Sequence, residues 1–223
     1  MRWVRQNGLA LCFLALFLGT LVAQALVGHA AFNHEQVAHH DATISLWRYV
    51  ASSSFGVDVL ENWQSEYLQF TLFILATVWL VQKGSPESKE LHKAGTESDA
   101  DQRIGEHADA DSPRWASAGG LRTLVFSNSL LAVMATIWVL SWLGQSITGR
   151  IAYNAEQLGH HEQPLSWLQY LGSSDFWDRT LQNWQSEFLA VGSMVVLAIF
   201  LRQRGSPESK PVGAGHDATG VEG

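Results

Sequence analysis

Residues 24–89 recur at 145–210 without a gap, 28 of the 66 positions being identical. A chain built this way is constrained to fold as two copies of one unit before anything is known of its elements. The offset of 121 aligns Gln24 with Gln145, Gly28 with Gly149, Asn33 with Asn154 and Glu35 with Glu156. It also pairs His39 and His40 with His160 and His161, and Tyr49 with Tyr170. A five-residue stretch, Asn62-Trp63-Gln64-Ser65-Glu66, returns as Asn183 to Glu187, and Gly84-Ser85-Pro86-Glu87-Ser88-Lys89 returns as Gly205 to Lys210.

Each copy reads as helix, connecting segment, helix. In the first, Leu9 to Val27 is 19 residues interrupted only by Gly19, Thr20 and Gln24. That meets the requirement of about 20 residues for crossing a hydrocarbon core of about 30 Å. Arg2, Arg5 and the Ala23-Gln24-Ala25 triplet resemble a secretory signal. The length of the run, and the matching segment Leu124 to Ile147 in mid-chain, favour a membrane helix instead. The second helix of each copy is apolar over only 15 residues, Tyr67 to Val81, or 14, Phe188 to Leu201. To cross, each extends backwards by about five residues, which takes in Glu66 and Glu187. Trp63, Tyr67 and Trp184 then fall at interface depth, where amphipathic rings are favoured.

The apolar residues, 47% of the chain, are concentrated in these blocks, and the charges lie between them. A soluble core is the poorer account, and no basic stripe suggests nucleic acid. The single Cys12 excludes an intramolecular disulfide and a multi-cysteine metal framework. Of the 14 Lys and Arg residues, only Arg48, Arg150 and Arg179 lie within the connecting segments of the two copies. The positive-inside bias therefore places both termini and the central segment in the cytoplasm. The expected organisation is a first repeat over 1–83, a disordered cytoplasmic linker over 84–120, a second repeat over 121–204 and a disordered tail over 205–223. An even number of spans per repeat makes the repeats parallel, related by a pseudo-twofold axis along the membrane normal. The expected fold is thus an all-α integral membrane protein with four transmembrane helices, bundled as two two-helix repeats. Short interfacial helices are expected over Ile44 to Ser52 and Leu165 to Ser173, with Ser53 or Ser54 and Ser174 capping the helices that follow.

If the first helix runs unbroken to His40, a step of 100° per residue sets Gln24, Gly28, Ala31, Glu35 and His39 on one face. Its counterpart carries Gln145, Gly149, Ala152, Glu156 and His160. In the second helix, Asn62, Glu66 and Gln69 fall together, with Asn183 and Glu187 in the other copy. Polar stripes in lipid must face protein or water. One account is a divalent metal held by Glu35, His39, Glu66, Glu156, His160 and Glu187, as carboxylates and imidazoles from several helices hold dinuclear centres. The match is imperfect, since Glu and His are four apart here and three apart in those proteins. The other account is a structural network that fixes the packing of the two repeats, and it is preferred. The paired histidines lie beyond the apolar zone, which argues against axial haem ligation. The repeated Gly-Ser-Pro-Glu-Ser-Lys either tags a cytoplasmic partner or simply stops the helix, the simpler reading.

These residues resemble a known family. Asn7-Gly8-Leu9 before the first span, Gln24 and Gly28, Asn33 to Gln36 after it, Asn62 to Leu68 opening the next span and Gly84 to Lys89 closing it look like an uncharacterised bacterial membrane-protein family, known only as a domain of unknown function. The second copy departs by carrying Asn128-Ser129-Leu130 in place of Asn-Gly-Leu. The resemblance implies a bacterial multi-pass membrane protein and no reaction. Nor does the chain contain a nucleophile elbow, a phosphate loop or a zinc-protease helix, so an enzyme is the weaker class. Two classes lead. One is a scaffolding or interaction protein of the inner membrane, with the bilayer, a membrane-protein partner or a further copy of itself as partners. The other is a cation-binding or proton-permeating unit built on the Glu/His cluster near the outer leaflet.

Overall fold

The computed structural model describes residues 2–223, and among them it holds eight α-helices, two short 3-10 turns and no strand. The helices are α1 (Arg2–Gln6), α2 (Gly8–Ala38), α3 (Leu46–Val50), α4 (Ser53–Trp79), α5 (Gly120–Ser127), α6 (Ser129–Gly159), α7 (Trp167–Leu171) and α8 (Ser174–Phe200). The all-α class is as expected. Two compact units divide the chain: one comprises the residues up to Leu60 with Gly144–Phe176, the other Glu61–Leu143 with Trp177–Gly223.

Three helices, α2, α6 and α8, are long and apolar enough to cross a membrane, where four were expected. The exception is α4. Its 27 residues suffice for about 40 Å at about 1.5 Å each, so length is not the obstacle. Composition is: Asn62, Gln64, Ser65, Glu66 and Gln69 occupy its middle, and Gln69 and Thr71 stand where α8 has Ala190 and Gly192. The helix then stops at Trp79, two residues before the end of the apolar run.

Inside and outside are exchanged relative to a water-soluble domain. Leu9, Phe13, Leu130, Val133, Leu189 and Val196 are exposed, whereas Gln64, Ser65, Ser141, Gln145, Ser146 and Thr180 are buried. Such a surface is stable against hydrocarbon, and such an interior keeps polar side chains where protein partners can reach them.

The ends of the long helices have local causes. The residue following the last turn of α2, His40, adopts φ 61°, and so does His161 after α6. There the backbone amide of Asp41 donates to the Gln36 carbonyl at 2.7 Å, and that of Glu162 to the Gln157 carbonyl at 2.8 Å. His40 and His161 likewise donate to Val37 and Leu158, each at 3.1 Å. This is the Schellman closure, made here with a left-handed histidine rather than the usual glycine. The short helices α3 and α7 fall inside the stretches expected for them, capped by Ser45 and Ser166. The following helices are capped one residue earlier than expected. Ser52 and Ser173, not Ser53, Ser54 or Ser174, accept from the amides of Phe55 and Phe176, each at 3.3 Å.

Candidate functional site

In the first unit an asparagine fastens each connecting segment to the helix before it. The Asn33 amide donates to the Ile44 carbonyl at 2.9 Å and its carbonyl accepts from the Ile44 amide at 2.9 Å. Asn154 makes the same two bonds to Leu165, both at 2.8 Å. Tyrosines complete the attachment. Tyr49 and Tyr170, both buried, lay their hydroxyls against Gly28 and Gly149, and a methyl group at either glycine would collide with them. Gly28 and Gly149 therefore serve a close approach, as small helix residues do. The Tyr170 hydroxyl goes on to donate to the Asp175 carboxylate at 2.8 Å.

The same unit packs the start of α4 against the end of α6. A Cβ at Gly144 would lie 2.9 Å from the Leu60 side chain, and one at Gly56 3.1 Å from that of Thr148. The Trp167 indole donates to the Ser146 hydroxyl at 3.0 Å. Gln145 is wholly buried there, and neither atom of its amide has a hydrogen-bond partner in the protein. A buried orphan amide costs about 1–3 kcal/mol.

In the second unit, tryptophan indoles absorb the polar interior. The Gln64 carbonyl accepts from the Trp184 indole at 2.8 Å, and the Gln64 amide donates to the Glu61 carbonyl at 3.1 Å. The Trp142 indole donates to the Thr180 hydroxyl at 3.4 Å. Arg179 pairs with the Glu61 carboxylate at 3.0 Å. The half-buried Glu187 lies beside the Ser65 hydroxyl and within electrostatic reach of Glu66, so the two five-residue stretches meet here.

The residues singled out from sequence are therefore dispersed. Gln24, Glu35 and His39 are exposed on or just past α2, Glu156 and His160 on or just past α6, and Asn62 and Glu66 on α4. Asn183 is half-buried and donates to the Arg179 carbonyl at 2.8 Å. Only Gln145 is fully buried. Among the described residues no group of three or more His, Cys, Asp or Glu is placed to hold a metal ion. The six residues considered for a metal are divided between the units, Glu35, His39, Glu156 and His160 in the first, Glu66 and Glu187 in the second.

The Gly-Ser-Pro-Glu-Ser-Lys copies prove to be helix-closing devices. The Ser88 and Ser209 hydroxyls accept from the amides of Gln82 and Gln203 at 2.8 and 2.9 Å. Lys89 donates to the Gly95 carbonyl at 3.1 Å, and Lys210 to the His216 carbonyl at 2.9 Å. Residues 95 and 216 then close the helix ends: the Gly95 amide donates to the Val78 carbonyl at 2.7 Å, and the His216 imidazole lies 3.0 Å from the Ile199 carbonyl. Lys210, 1% exposed, also donates to the carbonyls of Gly84, Gly215 and Ala218. Glu87 is hydrogen-bonded to Glu208. Burial first, then that bond and the charges of Glu208 and Glu222, push its carboxyl up to about 7.

A family described as a domain of unknown function (DUF6766) matches residues 1–221. The chain belongs to that family. No curated protein and no solved structure matches it. The DUF6766 chain thus takes no reaction from its relatives, and its chemistry must be argued from its own side chains. Asn33, Asn154, Tyr49, Tyr170 and the two serine–lysine pairs were the structural positions that stripe arithmetic missed. Their signal was available, since each is identical in both copies of the sequence.

Proposed function

We propose that the chain is a multi-pass scaffolding or interaction protein of the bacterial inner membrane, built from two parallel copies of one two-helix unit. In this reading α4 crosses beside the three helices apolar enough to do so alone, its polar middle turned to protein, and both termini are cytoplasmic. The observation that carries the reading is the fate of the buried polar side chains. Gln64, Thr180 and Ser146 each receive a tryptophan indole, so they are consumed in joining helices rather than left converging on a substrate.

The meeting of Glu66 and Glu187 favours a second reading, in which this carboxylate pair holds a cation or passes a proton. Substitution separates the two. Glu66→Gln with Glu187→Gln is expected to leave a folded protein in the membrane fraction, with proton flux into reconstituted vesicles no different from wild type. A flux present in wild type and lost in the folded double variant would transfer the function to the carboxylates.

A further inference from the structure

Within the second unit, the C-terminal tail ties the end of α4 to the end of α8. On the α8 side the Arg202 guanidinium donates to the Ala214 carbonyl at 2.9 Å, and the His216 imidazole lies 3.0 Å from the Ile199 carbonyl. On the α4 side the Gly84 amide donates to the Thr219 hydroxyl at 2.8 Å, and the Gly220 amide to the Ser85 carbonyl at 3.0 Å. Lys210 joins the two halves, since its ammonium donates to the Gly84 carbonyl at 2.6 Å and to those of Gly215, His216 and Ala218 in the tail. The fit is close. A Cβ on Gly84, whose φ is 87°, would collide with the His216 carbonyl oxygen and lie 3.0 Å from the Ile199 side chain. The corresponding lysine of the first copy stays within its own segment, Lys89 donating to Gly95 and pairing with Glu97 at 3.0 Å.

One contact across this strap is titratable. Glu87 and Glu208 occupy the same position of the two Gly-Ser-Pro-Glu-Ser-Lys copies and are hydrogen-bonded to each other. Two carboxyl groups share a hydrogen bond only while one of them keeps its proton. Glu222 of the tail adds a third negative charge. The other charges of the strap are Arg202 and Lys210, both committed to backbone carbonyls, and the Lys83–Asp217 pair, exposed on both sides and screened by water. Loss of the proton therefore replaces a hydrogen bond by repulsion among three carboxylates, where the tail meets the turn after α4. Burial and the two neighbouring glutamates raise Glu87 from 4.5 to about 7, which sets the change between those values. We propose that the tail is a proton-operated strap: with Glu87 protonated it holds the ends of α4 and α8 together, and with Glu87 ionised it lets them part. Elsewhere the two helices stay joined through Gln64 with Trp184 and Glu61 with Arg179, so opening pivots them about that junction. The strap goes beyond the membrane-interaction reading, to which it adds a regulation.

Distance measurement between the helix ends tests it. Leu80 and Leu201 are equivalent, exposed positions just past α4 and α8. In a Cys12→Ser background, Leu80→Cys and Leu201→Cys carry nitroxide labels on the full chain in detergent, and the distance between them is recorded from about pH 4 to about pH 8. The expected result is a short-distance population in acid that gives way to a longer one as pH rises from 4.5 to about 7. A carboxyl raised by that interval changes the ratio of closed to open by at most about 300-fold. Glu87→Gln is expected to keep the short distance throughout, and Lys210→Met, which cuts the strap at its node, to keep the longer one. A wild-type distance that does not change with pH overturns the proposal. So does a wild-type pH response that survives in folded Glu87→Gln, or in Glu208→Gln where circular dichroism shows the first variant unfolded. A response lost instead in Glu66→Gln with Glu187→Gln would assign the control to that other carboxylate pair, and also overturns it.

Discussion

Single side chains show how the polar interior is distributed, and Gln145 is the least accommodated of them. Its sequence counterpart Gln24 is exposed, while Gln145 is sealed with both amide atoms unpartnered in the protein. Replacing an orphan amide by an apolar side chain of similar volume removes its desolvation penalty, so Gln145→Met is expected to stabilise the detergent-solubilised protein by about 1 kcal/mol. A rise in thermal midpoint is the readout. A fall would mean that the amide is bound by something other than the protein, and would make Gln145 the first place to look for a ligand. Asn33 and Asn154 are the opposite case, every polar atom being matched to one backbone residue eleven positions on.

At the level of elements, the Gly-Ser-Pro-Glu-Ser-Lys copies turn tails into caps, and one of them carries a titratable joint. The Glu87 carboxyl is raised to about 7 by burial and by Glu208 and Glu222. A carboxylate whose folded pKa lies above its unfolded one binds more protons in the folded state, so the stability it contributes is full in acid and is lost as pH rises through about 7. Protection of the terminal segment from protease is therefore expected to fall as pH rises from about 4.5, the ordinary carboxyl value, to about 7, and Glu87→Gln to flatten that dependence. An unchanged slope in the variant would show that another group governs the segment. How much of this was legible follows from the kind of signal each element gives. The long helices α2 and α6 announce themselves through unbroken apolar runs, and the duplication through identity alone. The interior was legible less well, because a polar stripe says which residues share a face and not which way that face turns. Along α2 and just past it Gln24, Ala31, Glu35 and His39 are exposed while Gly28 is covered by Tyr49, whereas on α6 Gln145 and Gly149 are both buried. The left-handed histidines were hidden for a related reason: His-His suggests ligation, while its second member here serves backbone geometry.

For the whole molecule the decisive quantity is the number of crossings, and α4 decides it. Among the described residues only α2, α6 and α8 are apolar enough to cross unaided, and three crossings would leave the two termini on opposite sides. The basic residues argue otherwise, since Arg2 and Arg5 at one end and Arg202, Arg204 and Lys210 at the other would both be retained in the cytoplasm. The conflict resolves if α4 also crosses, because two of its polar residues are already spent on protein: Gln64 on the Trp184 indole and Glu61 on Arg179. A helix whose polar groups are met by neighbours need not satisfy a hydropathy threshold set for helices that face lipid on every side. Reporter fusions are accordingly expected to place the N-terminus, residue 100 in the central segment and the C-terminus on the cytoplasmic side, and residues 42 and 163 on the other. An extracytoplasmic central segment and C-terminus would mean that α4 lies outside the bilayer. Its match to the indoles would then have to be explained as packing in water, where a surface with so many exposed leucines and phenylalanines could not remain soluble.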